Sequence, residues 1–410
     1  MRPLHRPLLG INFFAGDVIA GLGPYLAIYL LVTLHWQPGL IGVALSVGTI
    51  MTVVLQTPAG AIIDGIRAKR MLMVACVAAV GGAALTLVFF RTTFAVYSAQ
   101  VIMGGALAFL GPLIAAITLG IVGRENFTRQ TGANQAVNHA GNVVAAAAAA
   151  ALALAGFVDG VFVLVSLMAV GMIVCTLLIK PSEISHEMAR GGVAETPSGE
   201  EQPSGFKTVA SDRRLLIFAL CVFLFHAANA AMLPLVSQKL SLGSDAGHGI
   251  AFTSACIIAA QAVMTVMAII CGRTADRWGR KPLFLFAFAI LPFRAVLYTL
   301  TDEPVLLVAI QALDGVANGI FAIIFLLIIS DVTKGTGRFN VAQGALATLI
   351  GVGATLSNLT AEWVVQIFSY DVAFLGLGSV AFVGAIIFFI FMPETAAHAS
   401  RARDAASSAR

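Results

Sequence analysis

Apolar residues in this chain run in long blocks rather than alternating with polar ones. About twelve blocks are long enough for a helix to cross a bilayer core, which takes about 20 residues. They fall at 8–33, 39–62, 72–90, 94–122, 131–155, 161–179, 214–236, 248–271, 282–300, 304–330, 340–366 and 371–392. Barrel strands would be shorter and would alternate, so the pattern predicts an all-α polytopic membrane protein. Most intervals are short turns. The exceptions are a polar segment at 181–213, rich in Glu, Gly, Ser and Pro, and an Ala-, Ser- and Arg-rich tail at 394–410. They read as a flexible linker and a disordered tail, leaving six-helix bundles at 1–180 and 214–393.

Composition agrees, with 59% hydrophobic and 11% charged residues, against about 25% charged in soluble domains. The net charge of +4 could suggest nucleic acid, but the placement of the cations explains it better. With a cytoplasmic N-terminus, all 24 lysines and arginines except Arg91, Lys239 and Arg294 fall on the cytoplasmic side. That bias predicts a plasma-membrane protein with both termini inside. Trp36, Trp278 and Trp363 stand at helix ends, where amphipathic rings favour the interface. The first block is too long for a signal-peptide core and is read as a retained span. Five cysteines lie within spans without metal-ligand spacing, as packing residues.

The densest charge in the chain is Gly272-Arg-Thr-Ala-Asp276-Arg277-Trp-Gly279-Arg280-Lys281, between the eighth and ninth blocks. A weaker copy stands 212 residues earlier, with Gly60, Asp64 and Arg67. Further anchors keep nearly the same offset: Gln100 and Gly104 match Gln311 and Gly315, and Phe127, Gly132 and Gly141 match Phe339, Gly344 and Gly353. The chain therefore reads as two related halves.

Twelve spans in two halves, with a Gly-x-x-x-Asp-Arg-x-Gly-Arg-Lys turn after the second helix of a half, resemble the major facilitator superfamily. Bacterial drug and metabolite transporters are its most similar members. The first copy departs from the pattern, with Gly65 in place of a cation and Arg67 in place of glycine. The resemblance implies that Asp64 and Asp276 join the halves when the protein opens outward, with Arg124 and Arg338 as partners. It also implies a central cavity lined by the first helix of each half and alternating access around a midplane site.

Charges within a span cost roughly 2.5–3.5 kcal/mol each and usually face a cavity or a partner. Three stand out. Asp17 could exchange a proton as its surroundings alternate between water and hydrocarbon, or simply bond across helices. Arg294 and Asp314 come to similar depth, about 10–15 Å from one end at 1.5 Å per residue, as a structural pair or a proton-sensitive one. The fifth block carries Asn134, Asn138 and Asn142 at i, i+4, i+8, with Gln135 and His139 on the adjoining row. The second half has Leu346, Ile350, Ala354, Ala347 and Gly351 there, which points to substrate contact beyond scaffolding. His226 and Asn229 in the seventh block are candidates for titration or packing. Gln100 and Gln311 are expected as interhelical hydrogen bonds first and ligand contacts second.

No P-loop, HExxH or GxSxG motif occurs, so no enzyme activity, cofactor or metal is expected. The fourth-helix Arg and fifth-helix Gly-Pro-x-x-Gly-Gly of proton-driven drug exporters are missing; Gln100 and Gly141-Asn142-Val-Val-Ala145-Ala146 stand there instead. The expectation is a monomeric secondary transporter of a small organic solute, coupled to H+, with export placed ahead of uptake. A proton symporter working inward and a non-transporting receptor or assembly protein of the same fold are the alternatives.

Overall fold

The computed structural model describes residues 4–20, 22–189, 212–242, 245–333 and 339–396, excluding the side chains of 20, 57, 61, 64, 124, 125, 128 and 339–341. Most of the expected linker and tail, together with Arg338 and the side chains of Asp64 and Arg124, lie outside the described residues.

Among the described residues, twelve helices are long and apolar enough to cross a membrane. They are α1 Arg6–Thr33, α2 Pro38–Gly65, α3 Lys69–Phe89, α4 Thr93–Gly123, α5 Arg129–Leu154 and α6 Gly160–Leu178, then α7 Arg213–Ser241, α8 Ala246–Trp278, α9 Arg280–Thr299, α10 Pro304–Val332, α11 Phe339–Ile367 and α12 Tyr370–Phe391. Helices are the expected solution, since lipid offers no partner to an open backbone amide. Local signals start them. Pro38 and Pro304 sit in first turns, Thr92 and Ser369 accept from Ala95 N and Val372 N, and Asp212 accepts from Arg214 N. Between α4 and α5 the helical path turns at Gly123, whose φ of 70° suits glycine. The regular helix of α7 breaks between Asn229 and Met232.

The chain forms two compact units: Met1–Gly199 with Leu240–Ile258, and Glu200–Lys239 with Ala259–Arg410. The same pairings recur in each. In the first unit α1 packs on α5 and α6, and α3 on α4 and α6; in the second α7 packs on α11 and α12, and α9 on α10 and α12. The matched glycines explain the sequence anchors. A Cβ on Gly141 would strike the Phe13 carbonyl of α1, and one on Gly353 would lie 2.6 Å from the Phe223 carbonyl of α7. Gly104 meets the Gly48 backbone and Gly315 the Ala260 carbonyl in the same way. Small residues let these helix backbones touch. The second unit closes over an aromatic core of Phe218, Phe225, Phe284, Phe288, Phe321 and Phe388. Outward faces remain apolar, with Phe89, Phe94, Val305, Phe368 and Phe389 all exposed. A water-soluble bundle would place polar residues there.

Candidate functional site

The five polar residues of α5 separate once the helix is packed. Asn134 is buried; its Nδ2 donates to Thr118 Oγ1 of α4 at 3.5 Å, and its Oδ1 accepts from Gln130. Asn138 donates to the Asn12 carbonyl of α1 at 3.0 Å, and Asn142, also buried, donates back to Asn138. His139 is half-buried, while Gln135 is exposed. A cavity of about 320 Å³ opens beside them, within the first unit. Asn12, Thr118, Thr131, Asn134, Gln135 and Asn138 supply its polar lining and Ile19, Ile114 and Phe127 its apolar one. Among the described residues no ionisable side chain joins that lining. The asparagines thus fasten α5 to α1 and α4, while Gln135 is open to the cavity.

Asp17 lies one residue from this packing. A Cβ on Gly16 would be 2.7 Å from the Asn138 carbonyl, so α1 and α5 meet closely there. Only 4% of Asp17 is exposed, and its Oδ2 has no hydrogen-bond partner among the described residues. Asn12, a turn and a half earlier on α1, gives its Nδ2 to the Leu8 carbonyl at 2.8 Å.

In the second unit the structure joins the expected pair of Arg294 and Asp314 to Asn229, which the sequence named apart from them. Arg294 of α9, fully buried, donates to Asp314 of α10 and, at 2.5 Å, to Asn229 Oδ1 of α7. Its guanidinium also meets Met232 Sδ at 2.8 Å, so it spans the break in α7. Asn318, one turn beyond Asp314, completes the group by accepting from Asn229 at 3.5 Å. Nothing in the sequence marks Asn318 except its i+4 spacing from Asp314. His226 donates Nδ1–H to the Val222 carbonyl and packs its ring edge-on to Phe321, a packed and hydrogen-bonded setting. Gln311 is fully buried and accepts from Tyr298, and Gln100 donates to the Ala44 carbonyl of α2 at 2.9 Å; both are interhelical bonds.

At the 272–281 turn, Asp276 is largely exposed and pairs with Arg280 on its own turn at 2.7 Å. Arg280 also reaches Asp331 at the end of α10. The acid on the N-terminus of α9 is Glu394, which sequence reasoning left in the tail. Its carboxylate accepts from the backbone of Arg280 at 2.9 Å and Lys281 at 3.2 Å, and from Thr395 and Ala396. A carboxylate suits the positive end of the helix dipole. Gly279 allows this approach, with φ of 88° and no side chain to strike Glu394. Among the described residues, a Cβ on Gly272 or on Gly60 would meet no neighbour. Lys281 reaches the Phe389 carbonyl of α12, and Arg277 is exposed. In the first copy, Arg67 is exposed, while Lys69 is fully buried and holds the carbonyls of Ile63 and Ile66 at 2.5 and 2.8 Å.

The three intramembrane charges expected from sequence are joined by a fourth. Glu362 of α11 is fully buried and accepts from Gln238 Nε2 at 2.6 Å. Its place inside the 340–366 block was the available signal, obscured by Trp363 next to it, which suggested an interfacial position. Among the described residues no group of three His, Cys, Asp or Glu could hold a metal ion.

The chain is 45% identical over 390 residues to an uncharacterized MFS-type transporter of Mycobacterium tuberculosis, covering 95% of this chain and 93% of the relative. A multi-drug resistance efflux pump, PmrA of Streptococcus pneumoniae, is 26% identical over 40% of each chain. In fold, the chain is similar to a crystal structure of the nucleoside transporter NupG, with a TM-score of 0.74 at 17% identity over 94% of this chain and 98% of that one. A sequence profile of the Major Facilitator Superfamily matches residues 8–291 and 242–409, and with twelve spans and a repeated helix pairing, the chain belongs to that superfamily.

Proposed function

We propose that this multi-pass membrane protein is a secondary active transporter that moves a small, uncharged polar organic solute across a bacterial plasma membrane by alternating access, coupled to protons. The observation that carries the reading is the pair of Arg294 and Asp314. The arginine is fully buried, whereas 15% of the Asp314 side chain is exposed. A proton arriving at Asp314 removes the charge that holds Arg294, which then keeps Asn229 and the broken segment of α7 as partners. Proton binding and helix position are linked through one guanidinium.

The uncharged lining of the first unit's cavity supports the substrate class. Amide and hydroxyl groups there can exchange hydrogen bonds with a solute, and the described lining holds no fixed cation to favour a strongly anionic one. The efflux pump among the partial relatives supports export, with the basic turns and both termini facing the cytoplasm.

The test is flux of a ligand, found by thermal-melt screening of neutral polar solutes, in proteoliposomes under an imposed proton gradient. Movement opposite to the proton flow supports exchange and export. Uptake with the proton flow replaces export by symport. A folded, ligand-binding protein without saturable flux overturns the transporter reading.

A further inference from the structure

Glu362 lies toward the end of α11 where α7 finishes and α12 begins, away from the Arg294 group, and none of the chemistry described so far uses it. It is fully buried. Its Oε1 accepts from Gln238 Nε2 of α7 at 2.6 Å, and Gln238 Oε1 in turn accepts from the Tyr370 hydroxyl of α12 at 3.1 Å. Oε2 is buried and has no partner among the described residues.

Among the described residues no cation pairs with the carboxyl. The ionisable groups at this end of the helices packed against α11 are Lys239 on α7 and Tyr370 and Asp371 on α12. Lys239 follows Gln238 directly, but its ammonium is held by the carbonyls of Tyr298 and Thr301 at 2.7 and 3.2 Å, by Asp302 at 2.9 Å and by Asp371 at 3.4 Å. Further along, His226 on α7 donates to Val222, and Asp314 on α10 is paired with Arg294. The remaining charged side chains of these helices, Arg213 and Arg214 on α7 and Asp331 on α10, stand at the opposite ends of their helices. A buried carboxylate with one neutral donor and no counter-ion is poorly compensated.

A neutral carboxylic acid removes that charge and keeps the contact seen here, because its carbonyl oxygen can accept from Gln238 as Oε1 does. Five residues earlier on α11, Ser357 Oγ accepts from the backbone N–H of Ala231 at the break in α7, at 3.1 Å. Thus α11 holds the last part of α7 at two points: a hydroxyl at the break and this carboxyl one helix segment further on.

We propose that Glu362 is a proton-binding site: its carboxyl carries a proton while α11 holds Gln238, and releases it to water only when that contact opens. The site does not depend on the transport reading, because proton occupancy can be measured without a substrate.

The experiment is infrared spectroscopy of the full chain in lipid, titrated through neutral pH. The native protein should show a carboxylic C=O band at neutral pH that Glu362→Gln removes and that Asp17→Asn and Asp314→Asn leave in place. A native spectrum without such a band, or one that Glu362→Gln leaves unchanged, overturns the proposal. Should Glu362→Gln fail to fold, Gln238→Leu keeps the acid and removes the donor to Oε1. The band should then move to higher frequency, and a band that stays in place overturns the proposal equally.

Discussion

Arg294 and Asp314, 20 residues apart on neighbouring helices, form an ion pair in which the cation is fully buried and the acid is not. Removing either charge strands the other, which in buried pairs costs about 3–5 kcal/mol. Arg294→Met and Asp314→Asn should therefore each lower the melting temperature strongly, and the double variant should lose less than the sum. Thermal melts of the four proteins complete the cycle. Additive losses would show that the two residues act separately. In flux assays, Asp314→Asn should also remove the response to a proton gradient.

Asp17 is a buried acid next to Gly16 of the candidate cavity, with an oxygen that has no hydrogen-bond partner among the described residues. Asp17→Asn keeps its shape and removes the titration. Gradient-driven flux in proteoliposomes should disappear, while expression and substrate exchange at equal pH persist. An unchanged pH profile excludes Asp17 from coupling.

The α5 polar face yields a contrast between neighbouring residues. Asn138→Ala removes the side-chain bond to the Asn12 carbonyl that ties α5 to α1 and should cost about 0.5–1.5 kcal/mol of stability. Gln135→Ala, at an exposed position on the cavity, should leave the melting temperature nearly unchanged and weaken ligand binding. A melt and a binding isotherm for each variant check the pair. Equal destabilisation by both would assign the whole face to helix packing.

At the basic turn, Gly279→Ala places a side chain where φ is 88° and Glu394 already sits, so it should cost roughly 1–3 kcal/mol in strain and displace the carboxylate. Glu394→Ala leaves two N–H groups of the first turn of α9 without their acceptor. Denaturation of both single variants and the double should show shared losses, because the two changes remove the same contact.

Most of the architecture was legible in the chain because a bilayer allows so few solutions. Each crossing segment must close its own hydrogen bonds, so the number and approximate ends of the helices follow from local composition. The repeat anchors were legible too, since Gly104, Gly315, Gly141 and Gly353 stand where helix backbones touch in both units. The site was legible only as a set of candidates. Sequence placed Arg294, Asp314 and Asn229 on three helices but could not bring all three together, and it spread five polar residues along α5 without separating Gln135 from the buried asparagines. It missed Glu362 beside an interfacial-looking tryptophan, and it left Glu394 in a tail when that residue caps α9.

Sequence alone therefore determined the class of molecule, its helices and its internal duplication, all of which depend on local hydrogen bonding and the apolar length of each segment. Tertiary structure alone decided which polar groups are buried, which meet one another and which face a cavity. Those outcomes depend on how each helix is rotated against neighbours that lie tens to more than a hundred residues away in the chain.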